Sequence, residues 1–234
     1  MYNILVVDDD KEIVESIEIY LRNEGYKVFK AYDGLEALDI LTNEEIHLIL
    51  MDIMMPNMDG LRTTMKIRQE KNIPIILISA KSEDTDKILG LNMGADDYIT
   101  KPFNPLELIA RVKSQLRRYT VFGNYSGQNK EETKSIISSG GLSLNQDTKE
   151  VLVDGEGIKL TATELGILEL LLKNQGRVFS IDEIYEKVWK EPSYNVENTV
   201  AVHIRRIREK IEINPKEPKY LKVVWGIGYK IEKY

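Results

Sequence analysis

The chain has 234 residues, 42% of them hydrophobic, enough for two globular domains with cores of their own. It contains no cysteine, which excludes disulfides, thiolate metal sites and thiol catalysis, and its start, MYNILVVDDD, meets acid too early for a signal peptide or a membrane span, so a cytoplasmic protein with no membrane partner is expected. The net charge of −6 is unevenly spread: residues 1–120 carry 21 acids and 15 bases, residues 121–234 carry 17 of each, and residues 195–234 hold 9 bases against 5 acids, so the two ends suit different partners.

In chain order, β-rich runs fall at 3–7, 27–31, 47–51, 75–79 and 97–100. Between them lie helical patterns, with Ile13, Ile17, Tyr20 and Leu21 at helical spacing, and later Ile109, Val112 and Leu116. Runs 3–7 and 75–78 are nearly all apolar, as strands buried on both faces should be. Five βα units imply an open parallel sheet with helices on both faces, an α/β doubly wound domain over 1–119. The pattern stops at Tyr119, and GNYSGQNKEETK (123–134) is polar and aperiodic, so 120–136 reads as a linker. Residues 137–234 begin with β-like pieces at 142–145, 150–153 and 158–160. Three helices are expected next, the first two opened by the capping boxes Thr161/Glu164 and Ser180/Glu183 and the third capped by Asn195. VVWGIGYKI closes the chain as a hairpin. Strands, three helices and a hairpin suggest an α+β winged helix.

Asp8 and Asp9 follow the first strand, Asp52 the third, Ser79 ends the fourth and Lys101 follows the fifth. Ligands of open α/β sheets bind at the carboxyl ends of the strands, where strand order reverses, so these groups should converge. Three crowded carboxylates raise one another's pKa unless a cation is present, and Mg²⁺ suits a few carboxylates plus phosphate oxygen. Asp52 can then attack a phosphoryl group, with Lys101 and the Ser79 hydroxyl bonding its oxygens. Singly, each residue has a plainer reading: DDD as favourable charge at a helix start, Asp52 as a turn acid before Pro56, Lys101 as a loop base. The coincidence of four strand ends favours the pocket.

Residues 1–119, through VVDDD (6–10), MDIMMPNMDG (51–60), ISA (78–80) and GADDYITKPF (94–103), resemble a response-regulator receiver domain of flavodoxin-like fold, and the whole chain resembles two-component response regulators of the winged-helix OmpR/PhoB type. The segments 94–119 and 202–233 are similar to regulators of vancomycin-resistance operons. The resemblance implies phosphorylation of Asp52 by a sensor histidine kinase. It implies Mg²⁺ on Asp9, Asp52 and the Met54 carbonyl with Asp8 nearby, and a cis bond before Pro102. It makes Ser79 and Tyr98 a switch pair, although a half-buried strand tyrosine is the plainer account of Tyr98. It makes Lys87, Asp96, Asp97, Glu107, Arg111 and Arg118 a homodimer face used on phosphorylation, with a solvated charged surface as the competing account. Met54 offers no hydrogen bond to orient a water, so self-dephosphorylation is expected to be slow.

ENTVAVHIRRIREKI (197–211) reads as a DNA-recognition helix. Val200, Ile204, Ile207 and Ile211 should pack inward, leaving Thr199, Val202, His203 and Arg206 outward, flanked by Arg205 and Arg208. By the resemblance, Arg206 contacts a base of double-stranded promoter DNA, and Asn198, Thr199, His203, Arg205 and Arg208 make backbone or mixed contacts. A solvated basic helix face is the bland alternative. Lys222, Tyr229 and Lys230 are possible phosphate contacts, and 189–195 matches a loop that touches RNA polymerase. Trp225 either packs on the sugar–phosphate backbone or anchors the hairpin, and the anchor is the expectation. Two other functions are weighed: a Mg²⁺-dependent aspartyl-phosphate hydrolase, whose D-x-D is missing because Ile53 and Met54 follow Asp52, and a constitutive DNA-binding protein with an idle receiver.

Overall fold

The computed structural model describes residues 1–80, 84–120, 136–193 and 197–234. The linker expected at 120–136, beyond its end residues, and the cap expected at Asn195 lie outside these. The chain divides into two compact units, Met1–Tyr119 and Thr120–Tyr234.

The first unit alternates strands and helices: β1 (Asn3–Val7), α1 (Lys11–Asn23), β2 (Lys27–Ala31), α2 (Gly34–Asn43), β3 (Leu48–Asp52), α3 (Gly60–Glu70), β4 (Ile75–Ser79), α4 (Asp84–Asn92), β5 (Asp97–Thr100) and α5 (Pro105–Arg118). The five strands are parallel in the order β2-β1-β3-β4-β5. Every residue of β3 and β4 is buried, as their unbroken apolar runs require. Each of α1, α2, α3 and α5 starts on an Asp or Asn whose side chain accepts from first-turn N–H groups: Asp10, Asp33, Asp59 and Asn104. On α5 the stripe is as expected, with Ile109, Val112 and Leu116 joined by Leu108. On α1 it turns slightly: Val14, Ile17 and Leu21 are buried, whereas Tyr20 is exposed.

The second unit opens with an antiparallel sheet of β6 (Ile136–Ser139), β7 (Leu142–Asn145), β8 (Val151–Val153) and β9 (Glu156–Ile158). The strand expected at 158–160 begins earlier because Asp154 and Gly155, both at positive φ (49° and 90°), make a two-residue hairpin turn that pairs Val153 with Glu156. Then come α6 (Ala162–Lys173), α7 (Ile181–Trp189), α8 (Glu197–Ile211) and the hairpin β10 (Leu221–Val224)–β11 (Gly228–Ile231). Both capping boxes form. Leu165, Leu168, Trp189, Val200, Ile204, Ile207 and Ile231 share one core. Reciprocal backbone bonds of 2.9 Å between Phe179 and Tyr229 fasten the hairpin to the segment before α7.

Candidate functional site

β1 and β3 are neighbours at the point where strand order reverses, with Val7 in register with Met51. Asp8 and Asp52 therefore emerge side by side, 2% and 4% exposed. Lys101 arrives from the end of β5, where its N–H donates to the Ser79 carbonyl at 2.7 Å and its bond to Pro102 is cis. Its Nζ lies 2.6 Å from Asp8 Oδ2 and 2.6 Å from Asp52 Oδ1. Burial pushes the Asp52 carboxyl above the usual range; Lys101 opposes this, Asp8 adds to it, and the Met54 N–H, donating to Oδ2 at 2.6 Å, opposes it again. Burial pulls the Lys101 ammonium down, but its bonds to Asp52 and Asp8 outweigh that and hold it above its ordinary value. Buried Ser79 completes the strand ends.

The DDD run divides its labour. Asp10 caps α1, accepting from Glu12 and Ile13 at 2.9 and 3.3 Å, so the plainer reading holds for that residue. Asp8 turns into the pocket, and Asp9 stands exposed at its edge. The loop after β3 is pinned by Asn57, at positive φ, whose amide donates to Asp33 Oδ2 at 2.6 Å. A Cβ on Gly60 would sit 2.0 Å from the Asp52 carbonyl oxygen, so α3 can approach the end of β3 only through a glycine. Among the described residues, no three acidic or histidine side chains already stand as a metal-holding group.

Tyr98 is buried on β5, its ring near Gly90 of α4. Two residues expected on the dimer face are buried and bonded within this chain. Asp96, 1% exposed, bonds Arg68 at 2.6 Å and the Ile75 N–H at 3.0 Å, tying α3 to the sheet. Arg118 is buried and donates to Ser114 Oγ at 2.8 Å. Asp97 and Glu107 both hold Arg111, each at 3.0 Å, within one chain. The Lys87 side chain lies outside the described part.

On α8 the inward stripe of Val200, Ile204, Ile207 and Ile211 is buried. The outward set needs correcting. Val202, His203 and Arg206 are 6%, 0% and 8% exposed. At 3.6 residues per turn His203 flanks the stripe, one turn from both Val200 and Ile207, and its ring lies 5.6 Å from that of Trp189. Arg206 Nη2 is 3.0 Å from Oε1 of Glu164 on α6. Asn198 and Thr199 are half-buried, Arg205 is exposed and paired with Glu209, and half-buried Arg208 donates to the Leu221 carbonyl at 3.0 Å. Lys222 bonds the Pro218 carbonyl, and Tyr229 and Lys230 are half-buried. The hairpin-anchor reading of Trp225 fails: its side chain is 87% exposed at the turn between β10 and β11, beside exposed Ile227. Sequence reasoning missed Glu164 as a partner of Arg206, since its capping-box spacing signals only a helix start.

A five-stranded parallel sheet with an acid–lysine–acid pocket at its switch point, joined to a winged-helix unit, defines a response regulator with a DNA-binding output. Residues 4–113 match the family described as response regulator receiver domain, and residues 155–231 match transcriptional regulatory protein, C terminal. The chain is 47% identical over 231 residues to the regulatory protein VanR of Enterococcus faecium, covering 98% of each chain. It is 44% identical over 230 residues to VanRc of Enterococcus gallinarum, again with 98% of each covered. The solved structure of the Thermotoga maritima response regulator DrrB, an OmpR/PhoB homologue, aligns with 33% identity and a TM-score of 0.51 over 99% of each chain. The protein belongs to the OmpR/PhoB-type response regulators and acts as a transcription factor. No helix among the described residues is long and apolar enough to cross a membrane.

Proposed function

We propose that Asp52 is the phosphoacceptor of a two-component switch that controls promoter binding, as a regulator and not a turnover enzyme, in the cytoplasm. The observation that carries this is the buried Asp8–Lys101–Asp52 bridge, two contacts of 2.6 Å made by residues at the ends of three different strands. A carboxylate oxygen of Asp52 attacks the phosphorus of a kinase phosphohistidine; the P–N bond breaks, the imidazole leaves with a proton, and an acyl phosphate forms. Lys101, already between the two acids, holds one phosphoryl oxygen, and the Ser79 hydroxyl donates to another.

The donor set suits Mg²⁺. Asp8, Asp9, Asp52 and the Met54 carbonyl offer only hard oxygens, and three formal negative charges against Lys101 leave two to balance. When bound, the ion neutralises the carboxylates and the incoming phosphoryl oxygens. Readout runs through Ser79 and Tyr98 to a homodimer face of Lys87, Asp96, Asp97, Glu107, Arg111 and Arg118, where pairs such as Asp97–Arg111 are exchanged between chains. The second unit then docks α8 on promoter DNA with Arg206 reading a base, and 189–195 faces RNA polymerase; residues 194–196 of that loop lie outside the described part.

Incubation with a small phosphoryl donor and Mg²⁺ should label wild type and leave Asp52→Ala unlabelled. Sedimentation should show the labelled protein as a dimer. Label retained by Asp52→Ala, or equal genome-wide occupancy by both proteins, removes the switch.

A further inference from the structure

Glu164 does more than cap α6. Its side chain is wholly buried, and its carboxylate makes three kinds of contact. Oε2 accepts the Thr161 N–H at 2.9 Å, closing the capping box. The same oxygen takes Lys210 Nζ at 2.6 Å, and Oε1 faces Arg206 Nη2 at 3.0 Å. Lys210 and Arg206 are one turn apart on α8, so a single acid from α6 grips two cations of the helix that docks on DNA in the proposed function. Although burial alone would raise it, those cations hold the carboxyl at about 2, so it stays charged.

We propose that Glu164 limits sequence-specific DNA affinity by competing with DNA for the Arg206 guanidinium. This rests on the proposed reading of a base by Arg206. To leave Glu164, Arg206 must gain bonds that replace a desolvated ion pair. A guanine edge offers two acceptors in the plane of the guanidinium fork, whereas a passing phosphate in wet surroundings gives less. Glu164 is not left uncompensated when Arg206 departs, because Lys210 stays 2.6 Å away. The exchange is therefore open to the right sequence and closed to most others, so the selected complex bears the cost of breaking the pair, whereas a random duplex leaves Arg206 on Glu164.

The experiment uses the full-length protein. A binding site is selected from a randomised DNA duplex pool, and its affinity is compared with that for a random duplex at matched salt, since phosphate contacts are salt-dependent. Glu164→Gln should bind the selected duplex about tenfold tighter, gain less on the random duplex, and so raise the ratio of selected to random affinity. Lys210→Met, which leaves the carboxylate to Arg206 alone, should lower that ratio; loss of an ordinary phosphate contact would weaken both duplexes alike and leave it unchanged. Fluorescence of buried Trp189 shows whether each variant is folded, and Lys210→Met carries the test if Glu164→Gln is not. A folded Glu164→Gln with an unaltered ratio, or one that loses only specific affinity, overturns the proposal, as does an unaltered ratio in Lys210→Met. Arg206→Ala separates the two readings: if it keeps full selectivity, base reading by Arg206 fails, whereas if it loses selectivity and the other variants do not shift the ratio, only the role of Glu164 fails.

Discussion

Lys101 stands between two buried carboxylates, so its removal sets them against each other. Breaking a buried ion pair from one side leaves uncompensated charge and typically costs about 3–5 kcal/mol. Here both acids remain, so Lys101→Ala should lower the unfolding free energy of the first unit by about 3 kcal/mol, read by far-ultraviolet circular dichroism in urea. Adding Mg²⁺ should recover much of it, and so should a second change, Asp52→Asn, which removes the repulsion. If neither does, the carboxylates are not the cation site. Met54 is a different case. Its N–H is committed to Asp52 at 2.6 Å, but its side chain is 62% exposed and polar contact with water at the pocket is not in its chemistry. Met54→Asn should shorten the lifetime of the acyl phosphate several-fold, a difference that phosphoprotein electrophoresis over time resolves; an unchanged decay gives Met54 no part in setting that lifetime. Asp8, Asp52, Ser79 and Lys101 were legible because each closes or succeeds a strand that reads clearly. Glu164 was not, because a capping box is a pattern four residues long while its cations sit on another helix.

Elements show the same limit. Strands and caps arise from local chemistry: β4 is IILIS, α6 opens on Thr161 with Glu164, and the Asp154–Gly155 turn suits a two-residue hairpin. What the sequence hides is which flank of a helix its neighbours cover. The apolar stripe of α8 was readable from spacing, but the burial of His203 beside Trp189 and of Arg206 beside Glu164 depends on α7 and α6. In the same way Asp96 reads as one more surface acid, and only the packing of α3 brings Arg68 to it. Trp225 misled in the opposite direction, since a large aromatic in a hairpin is usually packed and this one is bare. The junction of β3 with α3 is where element geometry bears on function. Gly60 lets the first turn of α3 rest on the Asp52 carbonyl, and its N–H bonds the Ile53 carbonyl at 2.9 Å. A methyl group there meets rigid backbone, so Gly60→Ala must displace α3 or tilt Asp52. The expected result is a loss of about 2 kcal/mol in the first unit together with slowed phosphoryl uptake from a small donor. Normal uptake would show that the close approach does not position the acid.

At the scale of the whole molecule the two units can be monitored separately, because both tryptophans of the chain, Trp189 and Trp225, lie in the second. Trp189 is fully buried and Trp225 is 87% exposed, so a change in tryptophan emission on unfolding reports the second unit through Trp189, while circular dichroism reports both. This makes the acid stability of the second unit measurable in the intact protein. Glu164 titrates near 4.5 when unfolded and at about 2 in the fold, burial being outweighed by Arg206, Lys210 and the Thr161 N–H. A depressed carboxyl contributes stability that is complete above the unfolded value and is lost as pH falls toward the folded one. The full contribution is about 3 kcal/mol at neutral pH, with about 2 kcal/mol gone by pH 3. Urea midpoints from tryptophan emission should therefore fall between pH 6 and pH 3 in wild type. In Glu164→Gln they should start lower, because two cations of α8 lose their anion, and decline less steeply. Should the two proteins show parallel pH dependence, the carboxylate is not held down by its cations, and its competition with DNA for Arg206 would lose its electrostatic basis.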